Sequence, residues 1–576
     1  DLQKLLTLIE DFAQYKGRLS TQLGPALTAQ MDITKLGTRV MYYLFLRSAC
    51  ETDNTSVKKV LSRVQEAYGQ AAAVHMTFFE HEVAAMDDAA YLHLLSTDHV
   101  VAHHRPMLDD IRKNAQYLLS EDVEQALTMR SPFGDGEWDD FMDEMEAELV
   151  FDMDGEEKSL TQMLHILSEE RDEDRRYRAM KVINDGFADQ YHDRFRARAL
   201  NVVMGAKRVD DAQRGFDTPM SSRNLGNKVD DATVDALHDA VTTEGAKQAQ
   251  RFYRLKQALM NRTEPFRWSD RNAPLPMAAE RTISWDECVD TVLAAYQSFS
   301  PTLARLVKEI LDSQWVDVPP YKGKQGGAFN ASGMYPDKAR SFNLLNYQGS
   351  VRDVMTTAHE LGHGVHGLLA IEAQGALQWR APMNYAETAS IFGEMVTFQY
   401  LLSQAKTDEE RLVMYMDKAS DFMNTVVRQI SFSLFEQRCH AKRAEGKLTV
   451  EDFNHIWMEV TEELYGKDGD LFSYSDMERL WCYVGHFMRP FYVYAYAFGE
   501  LFTQSLFAKK DDFGDQFEPM YLELLRAGGT KDAKELMAPF GLDPTDPQFW
   551  VNGISASITT WMDEAEKLAK KLGYID

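Results

Sequence analysis

The chain has 576 residues, 44% apolar and 26% charged, with 62 basic against 90 acidic side chains and a formal net charge of −28. That length exceeds what one core usually serves, so two lobes or one large cleft-bearing body are expected, and no stretch approaches the roughly 20 consecutive apolar residues of a membrane helix. The acidity disfavours a nucleic-acid backbone or an anionic membrane surface as partner.

Cys50, Cys288, Cys439 and Cys482 form no C-x-x-C pair, so neither a disulfide framework nor a thiolate metal site is indicated, and a reducing, cytoplasmic setting is expected. Asp1 is not a translation start, so further residues are expected to have preceded it.

Taken in order, most of the chain patterns as helix. The acidic run from Asp135 to Glu148 reads as a solvated loop and helix face. A soft boundary near residue 190 divides a helical N-terminal lobe, 1–190, from a catalytic body, 191–576, that carries all the candidate chemistry. Beyond it Val234, Leu237 and Val241, then Phe252, Leu255 and Leu259, recur at i, i+3, i+7 after the helix-starting Asp230 and Asp231. The helical pattern breaks between Pro319 and Gly349, at Pro320, Gly323, Gly326, Gly327, Gly333 and Pro336. Within that break the segment from Ser341 to Tyr347 predicts one strand of a small sheet, so the fold is expected to be mainly α with a little β.

The chemistry-bearing segment follows. His359-Glu360-Leu361-Gly362-His363 is an H-E-x-x-H sequence, in a segment whose Val354, Leu361, Val365 and Leu368 are spaced to pack one helix face. Residues i and i+4 lie one above the other, so both imidazoles can reach one metal while Glu360 turns toward the open coordination position, the arrangement of a water-activating peptidase. Ser350 and Asp353 have the spacing of a capping box that starts this helix. The metzincin extension would need Gly at 366 and His at 369, where the chain has His366 and Leu369, so that subclass is excluded. A carboxylate from a second helix is the other way to complete the site, and Glu387 and Glu394, at i and i+7, both qualify.

These residues resemble the oligoendopeptidase F group of the thimet-oligopeptidase-like zinc peptidases. The resemblance rests on Asn343-Leu344-Leu345-Asn346-Tyr347, on Thr357 through His366, on Ala386 through Glu394, on Gly485-His486-Phe487, on Arg489 through Tyr494, and on Leu525 through Gly529. It implies a mainly α, multi-helix ellipsoid with a deep substrate channel, one Zn2+ per chain at its floor, and a small β-sheet near the zinc site. Glu387 becomes the third ligand beside His359 and His363. Glu394 then orients a ligating histidine, and His366 and Asp353 are counted with it among the residues that support the ligands from behind.

The resemblance also implies that His486, Tyr492 and Tyr496 line the channel, the two tyrosines donating to the oxyanion from i and i+4, while Tyr494 points into the core. Phe491 stands where an ungapped match would want a tyrosine. Gly327, Ala328 and Phe329 match a loop that contacts substrate, and the strand from Asn343 to Tyr347 is expected to receive the peptide backbone as an added strand. The implied activity is hydrolysis of internal bonds of short, unstructured peptides in the cytoplasm, by a monomer or homodimer. The alternative is a dipeptidyl or single-residue carboxypeptidase, for which Arg489 would hold the terminal carboxylate. A zinc-stabilised binding scaffold would be free to lose Glu360, which is present.

Overall fold

A computed structural model of the chain describes residues 1–277, 282–335 and 337–576; Pro336, one of the expected breakers, lies outside the described residues. Helices take up 73% of the chain, and among the described residues none is long and apolar enough to cross a membrane.

Two apolar cores form. The first joins Leu5, Ile9 and Phe12 to Leu23, Leu27, Phe78, Phe79 and Val83, within residues 5–108. The second runs from Met142 to Ala569, so residues on both sides of position 190 contribute to it. The long helix Leu19–Cys50 belongs to the first core and also packs against the strand Phe329–Met334. The acidic run folds as the helix Asp135–Ala147, which buries Met142 and lies against the short turn Gly485–Met488.

The sequence periodicities are realised locally. Asp230 accepts from the Thr233 N–H and starts the helix Asp231–Ala240, which runs through a π-turn into Ala246–Leu259. The expected strand is Ala339–Leu344, ending before Leu345. It is the middle of three: Val316–Asp317 pairs parallel to it on one side and Phe329–Met334 antiparallel on the other.

This sheet packs on the 28-residue helix Val351–Gln378, which carries the H-E-x-x-H sequence and starts with the predicted Ser350–Asp353 capping box. Val354, Leu361, Val365 and Leu368 are buried as their spacing requires. A second helix, Thr388–Gln404, crosses the first in close contact. The crossing depends on absent side chains. A Cβ on Gly362 would stand 2.6 Å from both Ala389 O and Ser390 Cα, and one on Gly393 would overlap the Tyr296 hydroxyl, which donates to Ala358 O at 2.8 Å. Glycine inside a helix costs about 1 kcal/mol relative to alanine, so propensity alone would favour Ala at 362.

Gly362→Ala is therefore expected to destabilise the protein by about 1–3 kcal/mol despite the gain in propensity, because backbone atoms must move apart. Denaturant unfolding measures this, and metal content should fall with it. A stabilised variant with full metal content would show that the crossing is not tight.

Candidate metal centre and active site

His359 and His363 sit on one face of the motif helix, ring centroids 4.8 Å apart. Glu387 precedes the crossing helix directly, after the short turn Met383–Ala386, so the close crossing at Gly362 delivers its carboxylate to both imidazoles. Its Oε2 is 3.3 Å from His359 Nε2 and 3.1 Å from His363 Nε2, and the three ligand atoms lie within 4.8 Å of one another. A tetrahedral ion with bonds of about 2.1 Å has ligand–ligand edges of about 3.4 Å, so the donor set fits a zinc-type ion. No other such group of His, Cys, Asp or Glu occurs among the described residues.

The surrounding groups fix these ligands. Glu394 Oε1 accepts from His359 Nδ1 at 2.7 Å, which leaves Nε2 as the lone-pair nitrogen facing the centre. Its other oxygen takes Lys418 Nζ at 3.0 Å. Burial raises the Glu394 carboxyl, but Lys418 and His359 outweigh it and hold the group down to about 2. Burial likewise opposes ionisation of Glu387, and His363 and His359 reverse this, keeping it well below the usual carboxylate range. The Ser390 hydroxyl donates to Glu387 Oε2 at 2.8 Å.

Glu360 is 7% exposed, and its Oε2 is buried without a hydrogen-bond partner. Burial raises its carboxyl, partly offset by His359 and His363. His366 is buried and driven down to about 4 by burial and by His363, so it is neutral; it stands outside the ligand group.

The aromatic wall comes from 486–496. His486 and Tyr492 stack with centroids 5.5 Å apart, Tyr496 lies 5.5 Å from Tyr492, and His486 Nε2 is 3.3 Å from Tyr496 Oη. The tyrosines do not share a helix as i, i+4 implied: the helix begins at Tyr494, and Tyr492 reaches its partner from the preceding turn. That turn is held by Phe491, at φ 58 and fully buried, whose N–H donates to Glu436 Oε1 at 2.9 Å. Phe491 therefore packs inward, its ring on His440, and does not substitute for a channel tyrosine. Tyr494 is buried as expected, accepting from Asn227 Nδ2 at 2.8 Å.

A cavity of about 790 Å3 reaches His359 and Glu360, and Ala328 lines it. Gly327, at φ 77, precedes the strand that begins at Phe329, whose ring packs on Phe45.

Two expectations are corrected. Asn343 is 4% exposed in the middle strand, its Oδ1 accepting from Asn330, so it neither contacts substrate nor leaves an edge for an added strand. The sheet edge beside Ala328 belongs instead to Phe329–Met334. Asp353 accepts the Gln348 and Ser350 N–H groups and caps the helix without reaching a ligand. Arg489 is exposed and ion-paired with Asp139 at 3.2 Å.

Sequence reasoning missed Lys418, Ser390 and Tyr296. Ser390 had a signal in its position three residues after Glu387. Lys418 and Tyr296 had none, because they arrive from other helices. Lys418→Met, which leaves the Glu394 charge unbalanced and His359 poorly oriented, is expected to weaken metal binding about 10–100-fold. Competition with a chromophoric chelator reads this; unchanged affinity would remove Lys418 from the site.

With this geometry in place, comparison with known proteins is informative. The profile of peptidase family M3 matches residues 295–556, and the one described as Oligopeptidase F matches residues 82–151. Together they take in more than half of the chain. Oligopeptidase PepF of Bacillus subtilis is 25% identical, over 99% of this chain and 85% of its own length. An oligoendopeptidase F homolog of Lactococcus lactis is 24% identical, over 94% of this chain and 89% of its own. The solved structure of oligoendopeptidase-F from Enterococcus faecium superposes with a TM-score of 0.75 at 20% identity, covering 99% and 98% of the two chains, and shares the mainly α fold. The chain is a peptidase and belongs to the oligoendopeptidase F family.

Proposed function

We propose that the chain is a zinc-dependent oligoendopeptidase that hydrolyses internal bonds of short, unstructured peptides. One observation carries this: the three converging ligand atoms of His359, His363 and Glu387 stand beside the unpartnered Oε2 of Glu360. The two histidines and Glu387 would hold the ion. When bound, zinc supplies a Lewis acid that polarises the scissile carbonyl and brings the pKa of water down toward ~7.

The chain's own groups do the rest. Glu360 takes the proton of the attacking water on its free carboxylate oxygen and passes it to the leaving amine nitrogen. Tyr496 and Tyr492, with His486 against them, donate to the oxyanion as the carbonyl carbon becomes tetrahedral, a contribution of about 3 kcal/mol for one well-placed donor. The sheet edge beside Ala328 suits an extended backbone, which pairs by main-chain hydrogen bonds and reads shape more than sequence. This favours unfolded peptides as substrates. The net charge of −28 supports a protein that avoids nucleic acid and anionic membranes, and the four free cysteines suit a reducing, cytoplasmic setting. Arg489, the cation a carboxypeptidase reading would use, is engaged by Asp139.

Wild-type protein is expected to cut an internally quenched peptide with an amidated C-terminus. Glu360→Gln should keep its zinc and lose about 10²–10⁴-fold in kcat. Tyr496→Phe should lose about 10²–10³-fold in kcat with KM nearly unchanged. Zinc-loaded wild type that leaves the amidated peptide intact but trims its free-acid form would replace the endopeptidase reading with the carboxypeptidase one.

A further inference from the structure

The cavity beside Glu360 also reaches Arg271, Asn424, Arg428 and Gln429. Arg271 follows the short turn Trp268–Asp270, and Arg428 is the first residue after a π-turn over Met423–Val427, which widens the helix and presents Asn424 and Arg428 to the cavity. Single π-turns inside helices recur at functional sites.

Neither arginine has a carboxylate partner among the described residues. Arg271, 7% exposed, donates to Asn424 Oδ1 at 2.5 Å and stacks on Trp268. Arg428 donates to the Tyr483 hydroxyl and lies over the rings of Phe432 and Tyr483. Rings and neutral acceptors therefore fix both guanidinium groups, each with five N–H donors of which few are engaged.

Two of the nearby acids are engaged by other cations. Asp270 is buried against Arg176 at 2.5 Å. Glu394 is held by Lys418, while Asp421 and Glu169 also line the cavity, and burial raises the Asp421 carboxyl against the field of Lys418. Lys256, buried, donates to Arg271 O at 2.9 Å, and burial, Arg271 and Arg176 drive its pKa down to about 7. Burial, and after it the charge of Arg271, lowers the Arg428 guanidinium. The two guanidinium groups thus bring positive charge to one part of the cavity that Glu360 also lines, in a chain of net charge −28. Beside it, Gln429 Oε1 is a buried acceptor without a partner.

Two cationic donors next to one free acceptor match a peptide unit that carries an anion and an N–H. We propose that Arg271 and Arg428 form an anion subsite that takes a carboxylate of the bound peptide, from its C-terminus or from an acidic side chain. This rests on the peptidase reading of the neighbouring centre. Burying such a pair without an anion is unfavourable, so bound peptide relieves a repulsion built into the free protein. The subsite favours anionic peptides without requiring them, so an amidated peptide is still cut.

The test uses zinc-loaded Glu360→Gln protein and fluorophore-labelled octapeptides in an anisotropy titration. One neutral sequence is compared with a free C-terminus, amidated, and amidated with a single glutamate at each position in turn. At least one anionic peptide is expected to bind about tenfold or more tightly than the neutral amide, against the overall charge of the protein. Arg428→Gln or Arg271→Gln, added to the same background, should reduce that preference to about threefold or less, and Arg428→Lys should restore part of it.

Preference for the free acid alone assigns the terminal carboxylate; preference for a glutamate peptide alone assigns a side chain. Equal or undetectable affinities overturn the proposal, as does a preference that survives both glutamine variants. Should those variants fail to fold, the peptide comparison in the parent protein still decides. If zinc-loaded wild type cuts none of these peptides while the anion preference holds, the peptidase centre as read here fails and the subsite stands.

Discussion

The contact on which the site depends is a backbone crossing. The helix carrying His359 and His363 meets the helix carrying Glu394 at Gly362, where Ala389 O and Ser390 Cα come within 2.6 Å of the position a side chain would start. Glu387 lies just before that second helix and Glu394 two turns into it, so one crossing places two carboxylates on opposite nitrogens of the same imidazole. A wider crossing would leave the histidines without their third partner.

Such closeness concentrates charge in a buried place, and burying unpaired charge is costly. The structure resolves this by pairing in layers. Lys418 balances Glu394, Glu394 orients His359, the histidines share Glu387, and Ser390 gives Glu387 a further hydrogen bond. Glu360 keeps a buried oxygen without a hydrogen-bond partner, next to the ligand atoms. A free acceptor of that kind is what proton transfer needs.

The two sides of the centre are built differently. On one side the His486, Tyr492 and Tyr496 rings stack on a turn held by the buried Phe491 and Glu436. On the other, a π-turn and a ring-lined pair of arginines bring positive charge to part of a cavity that Glu360, Glu394 and Asp421 also line.

Local spacing determined much of this. The i, i+4 histidines, the Ser350–Asp353 cap, the buried stripe from Val354 to Leu368 and the i, i+7 acids are properties of one or two helices. Helical geometry fixes which residues share a face before any tertiary contact forms. Resemblance to a family chose Glu387 over Glu394 as ligand, and the distances agree with that choice. What only the tertiary structure decided concerns partners distant in sequence: Lys418 behind Glu394, Tyr296 against Gly393, and Arg271 beside Arg428. It also withdrew Asn343 into a middle strand and gave Arg489 to Asp139. A sequence states what a side chain can do, but whether its edge, charge or hydrogen bond is already taken depends on neighbours that only the packed chain supplies.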